Sequence, residues 1–303
     1  MTASSWAALA LVLVIAPALP GLAAKTSARL TGRQGAPVLQ GYADLFKLLR
    51  KGAVYSHATT WVFRLAPPVV LGATLLAAGL VPFDGQGAVA GFAGDPIVFA
   101  GLLALGRFAL VLAAFDTASS FEGMGASREL TLASFTEPVM LLSFAALALA
   151  TGRLSLTEVL GNPIAAAWSL APAALAMVAV SLFVVLLVEA SRGPVDDPAT
   201  HLELTMIHEV AVLDHGGPDL ALLVYGSALK FAVFAALVVG TLIPRGGLPG
   251  PLAVAVLVPA LASVAVLVGV IETIMARLRL THVPQLLVAA GALSALGIVL
   301  LLH

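Results

Sequence analysis

The chain has no cysteine among its 303 residues. That excludes disulfides, thiolate nucleophiles and iron–sulfur ligation of the usual kind. Any redox metal centre that serves this protein therefore belongs to another chain. Charge is the second scarcity: Asp, Glu, Lys and Arg make up 10% of the sequence, against about 25% in soluble domains. A soluble fold would lack the polar side chains to cover its surface. The two signs nearly cancel, leaving a net charge of −1, so no basic surplus points to nucleic acid. Also missing are G-x-x-x-x-G-K-[ST] and G-x-G-x-x-G loops and any nucleophile–His–acid arrangement. No autonomous active site is expected, and the "GMGASRE" segment reads as a small-residue turn, not a phosphate cradle.

What is present is hydrocarbon. Hydrophobic residues make up 60% of the chain and the mean hydropathy is +1.07. Apolar runs of the roughly 20 residues that a bilayer crossing needs recur at 5–24, 65–83, 96–115, 131–150, 164–188, 220–243, 251–274 and 284–302. They are continuous and not alternating, which argues against a β-barrel. The expectation is an all-α integral membrane protein: a single polytopic domain over 1–303 with about eight transmembrane helices. The first run has no Lys or Arg before it, while Lys25 and Arg29 follow. It lacks the basic start of a secretory signal and reads as a retained span.

Basic residues orient the bundle. Ten of them (Lys25, Arg29, Arg33, Lys47, Arg50, Lys51, Arg128, Arg192, Arg277 and Arg279) fall in odd-numbered loops, and only Arg153 and Arg245 in even-numbered ones. The odd loops are expected in the cytoplasm of a prokaryote and both termini outside its inner membrane. Two of these loops, about 25–64 and 189–219, are long enough to carry short helices. In the first, "GYADLFKLLRKG" is amphipathic, with Leu45, Leu48 and Leu49 on one face and Lys47, Arg50 and Lys51 elsewhere; it suits an interfacial helix or a docking surface. In the second, Asp197-Pro198 is a good helix start, predicting a helix to about Leu213 that brings His201, Thr205 and His208 near one side.

The scarce ionisable groups gather at that end. Glu189, Asp196, Asp197, Glu203, Glu209 and Asp214 share one window with His201 and His208. The histidines are seven apart without a third ligand at a recognised spacing, so no metal site is expected. Within or bordering the spans stand Arg64, Arg107, Asp116, Glu137, Lys230 and Glu272. Charge in a membrane is costly, which makes each a functional candidate; the plainer reading of any one is a structural ion pair or a snorkelling side chain. As a group, Glu137, Glu189, Glu272 and the loop acids fit a hydrated pocket open to the cytoplasm, where burial can tune carboxylates for proton relay.

The segments "WVFRLAP", "GASRE", "TEPVM" and "EASRGPVDDPATHLELTMIHE" together resemble the membrane-anchor subunit family shared by respiratory complex I (subunit 1, the H-type chain) and membrane-bound nickel–iron hydrogenases. The resemblance covers nearly the whole chain. Glu189, Arg192, Pro194, Asp196 and Glu203 fit the family's fifth-loop pattern, whereas "DDPATHLELTM", "DHGGPDLALL" and "ETIMARLRLTHVPQLL" are similar to the hydrogenase-4 and formate hydrogenlyase branch. The resemblance implies a cytoplasmic arm with a small iron–sulfur subunit and a large nickel–iron or nickel–iron-like subunit, and antiporter-like membrane partners. It assigns proton coupling to Glu189, Arg192, Asp196, Glu203, Glu209 and Glu137, and docking or second-tier roles to Arg128, Glu129, Arg277 and Arg279. It implies no cofactor in this chain. The alternatives are a quinone-site subunit of an NADH:quinone oxidoreductase-type complex, which the altered fifth loop disfavours, and a stand-alone ion transporter.

Overall fold

A computed structural model describes residues 3–192, 209–275, 278 and 280–302. Among these the chain is helical, without strands: α1 (Ala3–Ile15), α2 (Ala18–Leu30), α3 (Gln40–Leu49), α4 (Trp61–Gly79), α5 (Asp95–Asp116), α6 (Ser120–Thr151), α7 (Leu156–Val159), α8 (Pro163–Leu170), α9 (Pro172–Glu189), α10 (Gly217–Leu242), α11 (Gly250–Ile274) and α12 (Val283–Leu302). Seven are long and apolar enough to cross a membrane, and the bent pair α1–α2 makes an eighth candidate. The expected all-α membrane architecture is what the chain adopts, with three local differences.

The first expected span is an elbow bent by 49°. Pro17 has no N–H to give the carbonyl of Leu13, and its ring opposes a continuous helix. Two distant tyrosines take over: the Tyr225 hydroxyl donates to the Leu13 carbonyl at 2.8 Å, and that of Tyr42 to the Val14 carbonyl. The fifth span is divided at Ala171 (φ −139°, ψ 63°), because Pro172 disfavours helical backbone in the residue before it.

The "GMGASRE" turn is instead part of α6, whose 32 residues extend about 48 Å. That exceeds the roughly 30 Å hydrocarbon core, so α6 projects beyond the bilayer. Of its two glycines, Gly125 serves close approach, not bending. A Cβ on Gly125 would lie 2.8 Å from the backbone nitrogen of Ala211, where residues Glu209–Val212 form a 3-10 turn. Most of the helix expected from Asp197 lies outside the described residues, and its last turn is this 3-10 segment.

α10 is the central post, largely buried between α4, α9, α11 and the α1–α2 elbow. Phe99, Phe144 and Phe234 meet edge to face at 5.9 and 6.0 Å between α5, α6 and α10. Ser143, which donates to the Val139 carbonyl, also meets Ser181 at 3.2 Å and Ser294 at 2.9 Å, knotting α6, α9 and α12. At the end opposite the basic first loop, buried Asp84 accepts from Ser4 and Ser5. Nearby, Arg245 donates to the Phe83 carbonyl at 2.7 Å. The amphipathic helix of the first loop is present as α3. Leu45 and Leu48 are half-buried on it, but Leu49 is exposed together with Phe46.

Candidate functional site

Arg107, Glu129, Glu137, Glu189 and Lys230 are gathered at one place in the bundle. Arg107 of α5 is buried, with 5% of its side chain exposed, and its three guanidinium nitrogens meet three different carboxylates. Nε faces Glu129 at 3.4 Å, Nη1 bonds Glu137 and Nη2 bonds Glu189. Glu129 and Glu137 lie eight residues apart on α6, a little over two turns, and so share its inward face. Glu189 ends α9 and bridges two cations: one oxygen bonds Arg107, and the other lies 3.4 Å from Nζ of Lys230 on α10. Four helices thus converge on two cations and three carboxylates, a cluster with one surplus negative charge.

A second pair continues the line. Arg192, just past α9, faces Glu272 at the end of α11 at 3.8 Å. Burial pulls the Arg192 guanidinium below its ordinary range, and Glu272 and Glu209 oppose that shift. Exposure is uneven along the cluster. Glu189 is almost wholly enclosed, at 4%, whereas 36% of the Glu137 side chain reaches the flank of the bundle. A void of about 10 Å³ lies against Arg107, Glu129 and Glu189, at the lower limit for one water.

Beside this cluster lies a cavity of about 640 Å³. Arg107, Glu129, Arg192, Glu209, Lys230 and His215 supply polar atoms to its wall; the remaining lining is mainly apolar, from the α1–α2 elbow, α3, α4, α5 and α10. His215 is 4% exposed and stacks on Phe63 with ring centroids 3.9 Å apart. Among the described residues neither of its ring nitrogens has a hydrogen-bond partner, and burial lowers its pKa to about 4, so the imidazole is neutral at physiological pH.

The structure therefore unites Glu137, Glu189 and Glu129 around one cation, sets Arg192 against Glu272, and puts Glu209 on the cavity wall. Arg128, adjacent to Glu129 in sequence, places a guanidinium nitrogen 3.2 Å from the Met124 sulfur one turn away. Asp196, Glu203, Arg277 and Arg279 lie outside the described residues. Arg107 and Lys230, candidates by their place in apolar runs, have no specific role in the sequence pattern, which gives coupling to Arg192 and the acids; the structure shows these two cations to be what the acids gather around. His215 gave no such signal, because its enclosure depends on Phe63 from another helix. Among the described residues no three His, Asp or Glu side chains converge as a metal site would require.

Comparison with known proteins agrees with this architecture. The chain is 33% identical to formate hydrogenlyase subunit 4 of Escherichia coli (strain K12), over 97% of this chain and 96% of that protein. It is also 33% identical to hydrogenase-4 component C of the same organism, over 78% of this chain and 73% of that one. NADH-ubiquinone oxidoreductase chain 1 of Mycosarcoma maydis is more distant, at 28% identity over 66% of this chain and 60% of that protein. The fold matches a chain of the membrane-bound sulfane sulfur reductase, an archaeal respiratory membrane complex, with TM-score 0.80, 19% identity and 98% of both chains covered. Residues 4–302 match the profile of the NADH dehydrogenase family, and the chain belongs to that family.

Proposed function

We propose that this chain is the membrane-anchoring and proton-coupling subunit of a nickel–iron hydrogenase-like complex of the hydrogenase-4 or formate hydrogenlyase type. In this reading the basic end faces the cytoplasm of a prokaryotic inner membrane, and both termini face out. A small iron–sulfur subunit and a large nickel–iron or nickel–iron-like subunit dock on the basic end and hold the redox centres, for which this chain offers no cysteine. Similarity to the two E. coli hydrogenase and hydrogenlyase proteins over most of the chain supports the assignment.

The observation that carries the coupling role is the sharing of Arg107 by Glu129, Glu137 and Glu189. Removing two charges from water is repaid only while each keeps a partner. A proton arriving on Glu189 releases both Arg107 and Lys230, and the freed guanidinium then draws more strongly on Glu129 and Glu137. Charge displaced at the enclosed Glu189 is thereby felt at Glu137, on the flank where an antiporter-like subunit would sit. Glu209 and Arg192, with Asp196 and Glu203 of the same loop, are assigned to the route between the arm and Glu189. Arg277 and Arg279 are assigned to docking, and Arg128 to a supporting role.

The test is Glu189→Gln in the purified complex, reconstituted in liposomes. Assembly and electron transfer to an artificial acceptor should persist, while protons moved per turnover fall by about 10²-fold, the scale on which a positioned proton carrier acts. Wild-type coupling in the variant would refute the role. A second reading, a quinone-site subunit, is favoured by one feature, the 640 Å³ cavity; quinone-dependent turnover of the complex would establish it in place of the first.

A further inference from the structure

The cavity is lined by residues suited to hold a lipid. Its wall includes Pro17 and Gly21 of the elbow, Gly41 and Leu45 of α3, and Val224 of α10. The elbow and α3 touch backbone to backbone: a Cβ on Gly41 would lie 2.8 Å from the Pro17 carbonyl oxygen, and one on Gly21 would lie 2.3 Å from that of Val38. α3 thus forms part of the cavity wall through Gln40, Gly41 and Leu45, while Phe46 and Leu49 are exposed. An apolar chamber beside a bilayer, walled in part by an amphipathic helix with exposed aromatic and aliphatic side chains, is chemically matched to an acyl chain.

Charge specifies the head. The first loop, 25–64, carries seven basic residues (Lys25, Arg29, Arg33, Lys47, Arg50, Lys51 and Arg64) and one acid, Asp44. Arg50 lies over the Phe46 ring at 3.9 Å, and Lys47, Arg50 and Lys51 are exposed. The carboxyl end of α3 abuts the start of α10: a Cβ on Gly217 would lie 2.8 Å from the Gly52 carbonyl oxygen and 3.0 Å from that of Lys51. Two residues before Gly217 stands His215, on the cavity wall, buried, with both nitrogens unpartnered among the described residues. A buried polar group without a partner is costly, and a neutral imidazole has one N–H to donate to a phosphate or ester oxygen. Of the acids near His215, Asp219 accepts from the Tyr55 hydroxyl at 2.8 Å with Arg64 over the Tyr55 ring, and Asp214 is exposed, where water screens it.

We propose that an anionic phospholipid occupies this cavity, its acyl chain in the apolar slot and its phosphate between the basic end of α3 and His215. The inference rests on the hydrogenase-type reading, in which no quinone uses the chamber. The lipid closes the void, gives His215 its partner and fixes α3 against the elbow.

Native mass spectrometry of the full-length protein in nanodiscs of mixed phosphatidylglycerol and phosphatidylcholine tests it. The wild type should retain one phosphatidylglycerol through delipidation, preferred over phosphatidylcholine by about tenfold or more, as a cluster of interfacial cations provides. Val224→Trp, which intrudes on the slot, should weaken retention of the lipid. Lys47→Glu/Arg50→Glu/Lys51→Glu should retain lipid without headgroup preference. Near-isosteric His215→Phe should weaken retention while leaving yield and helix content unchanged. Equal retention of the two lipids by the wild type, a comparison that needs no variant, would overturn the proposal, as would unchanged retention in a folded Val224→Trp protein. A bound quinone in the organic extract would overturn both this inference and the hydrogenase-type reading, whereas an absence of any retained amphiphile would overturn this inference alone.

Discussion

At the scale of residues, Arg107 shows why a lone intramembrane cation is a poor guide to its own role. Its three carboxylates arrive from α6 and α9, and each partner is tolerable in the bundle because the others are there. Arg107→Met should destabilise the protein by about 3–5 kcal/mol, the cost of stranding buried charge, read as a lowered detergent-melting temperature. Adding Glu189→Gln to that variant should recover part of the loss, because one stranded charge is removed; an additive double mutant would contradict the coupling between them. His215 makes a pH-dependent prediction. Its pKa is held at about 4, below the ordinary 6.5, so an opened segment takes up a proton between those values and the packed one does not. Packing around His215 is therefore fully retained above pH 6.5 and weakens as pH falls toward 4. Hydrogen exchange of residues 209–216, corrected for intrinsic rates, should speed up by at most roughly tenfold per pH unit across that window. In His215→Phe the acid-induced acceleration should vanish.

At the scale of elements, the spans were legible because their apolar runs are long, and their breaks were not. Pro17 lies in an apolar stretch that still crosses the membrane, so composition reads through it. The elbow is visible only when Tyr225 and Tyr42 are seen to take the carbonyls it releases. Tyr225→Phe should cost about 1–3 kcal/mol, the penalty for a buried carbonyl left unsatisfied, measured in the same melting assay. Gly125 teaches the same lesson in reverse. Glycines at 123 and 125 signal a turn locally, yet they sit in a continuous helix, where Gly125 leaves room for the 209–212 segment to pack against its backbone. Gly125→Leu should push that segment off α6 and destabilise the contact by about 1–3 kcal/mol. Exchange protection at Val210 and Ala211 should fall, while that of the distant α11 stays unchanged.

At the scale of the whole molecule, the asymmetry of charge and the position of the buried cluster concern one end of the bundle. The proposed coupling requires a docked arm, so this chain reconstituted alone in liposomes should show no ion flux above the empty-vesicle rate. Measurable flux from the isolated chain would favour the transporter alternative. The sequence alone determined that the protein is an all-α membrane bundle and which end is basic, because bilayer crossing demands long apolar runs and leaves charge only where water or a partner can meet it. It also placed Glu137 and Glu189 among the candidates, since carboxylates in such runs stand out. Only the tertiary structure decided that these two share Arg107, that Glu189 also meets Lys230, and that a cavity walled in part by the buried His215 lies beside them. The charged contacts join α5, α6, α9 and α10 across up to 82 positions of sequence, the cavity joins residues further apart still, and both depend on how helices pack around α10, a geometry no local pattern encodes.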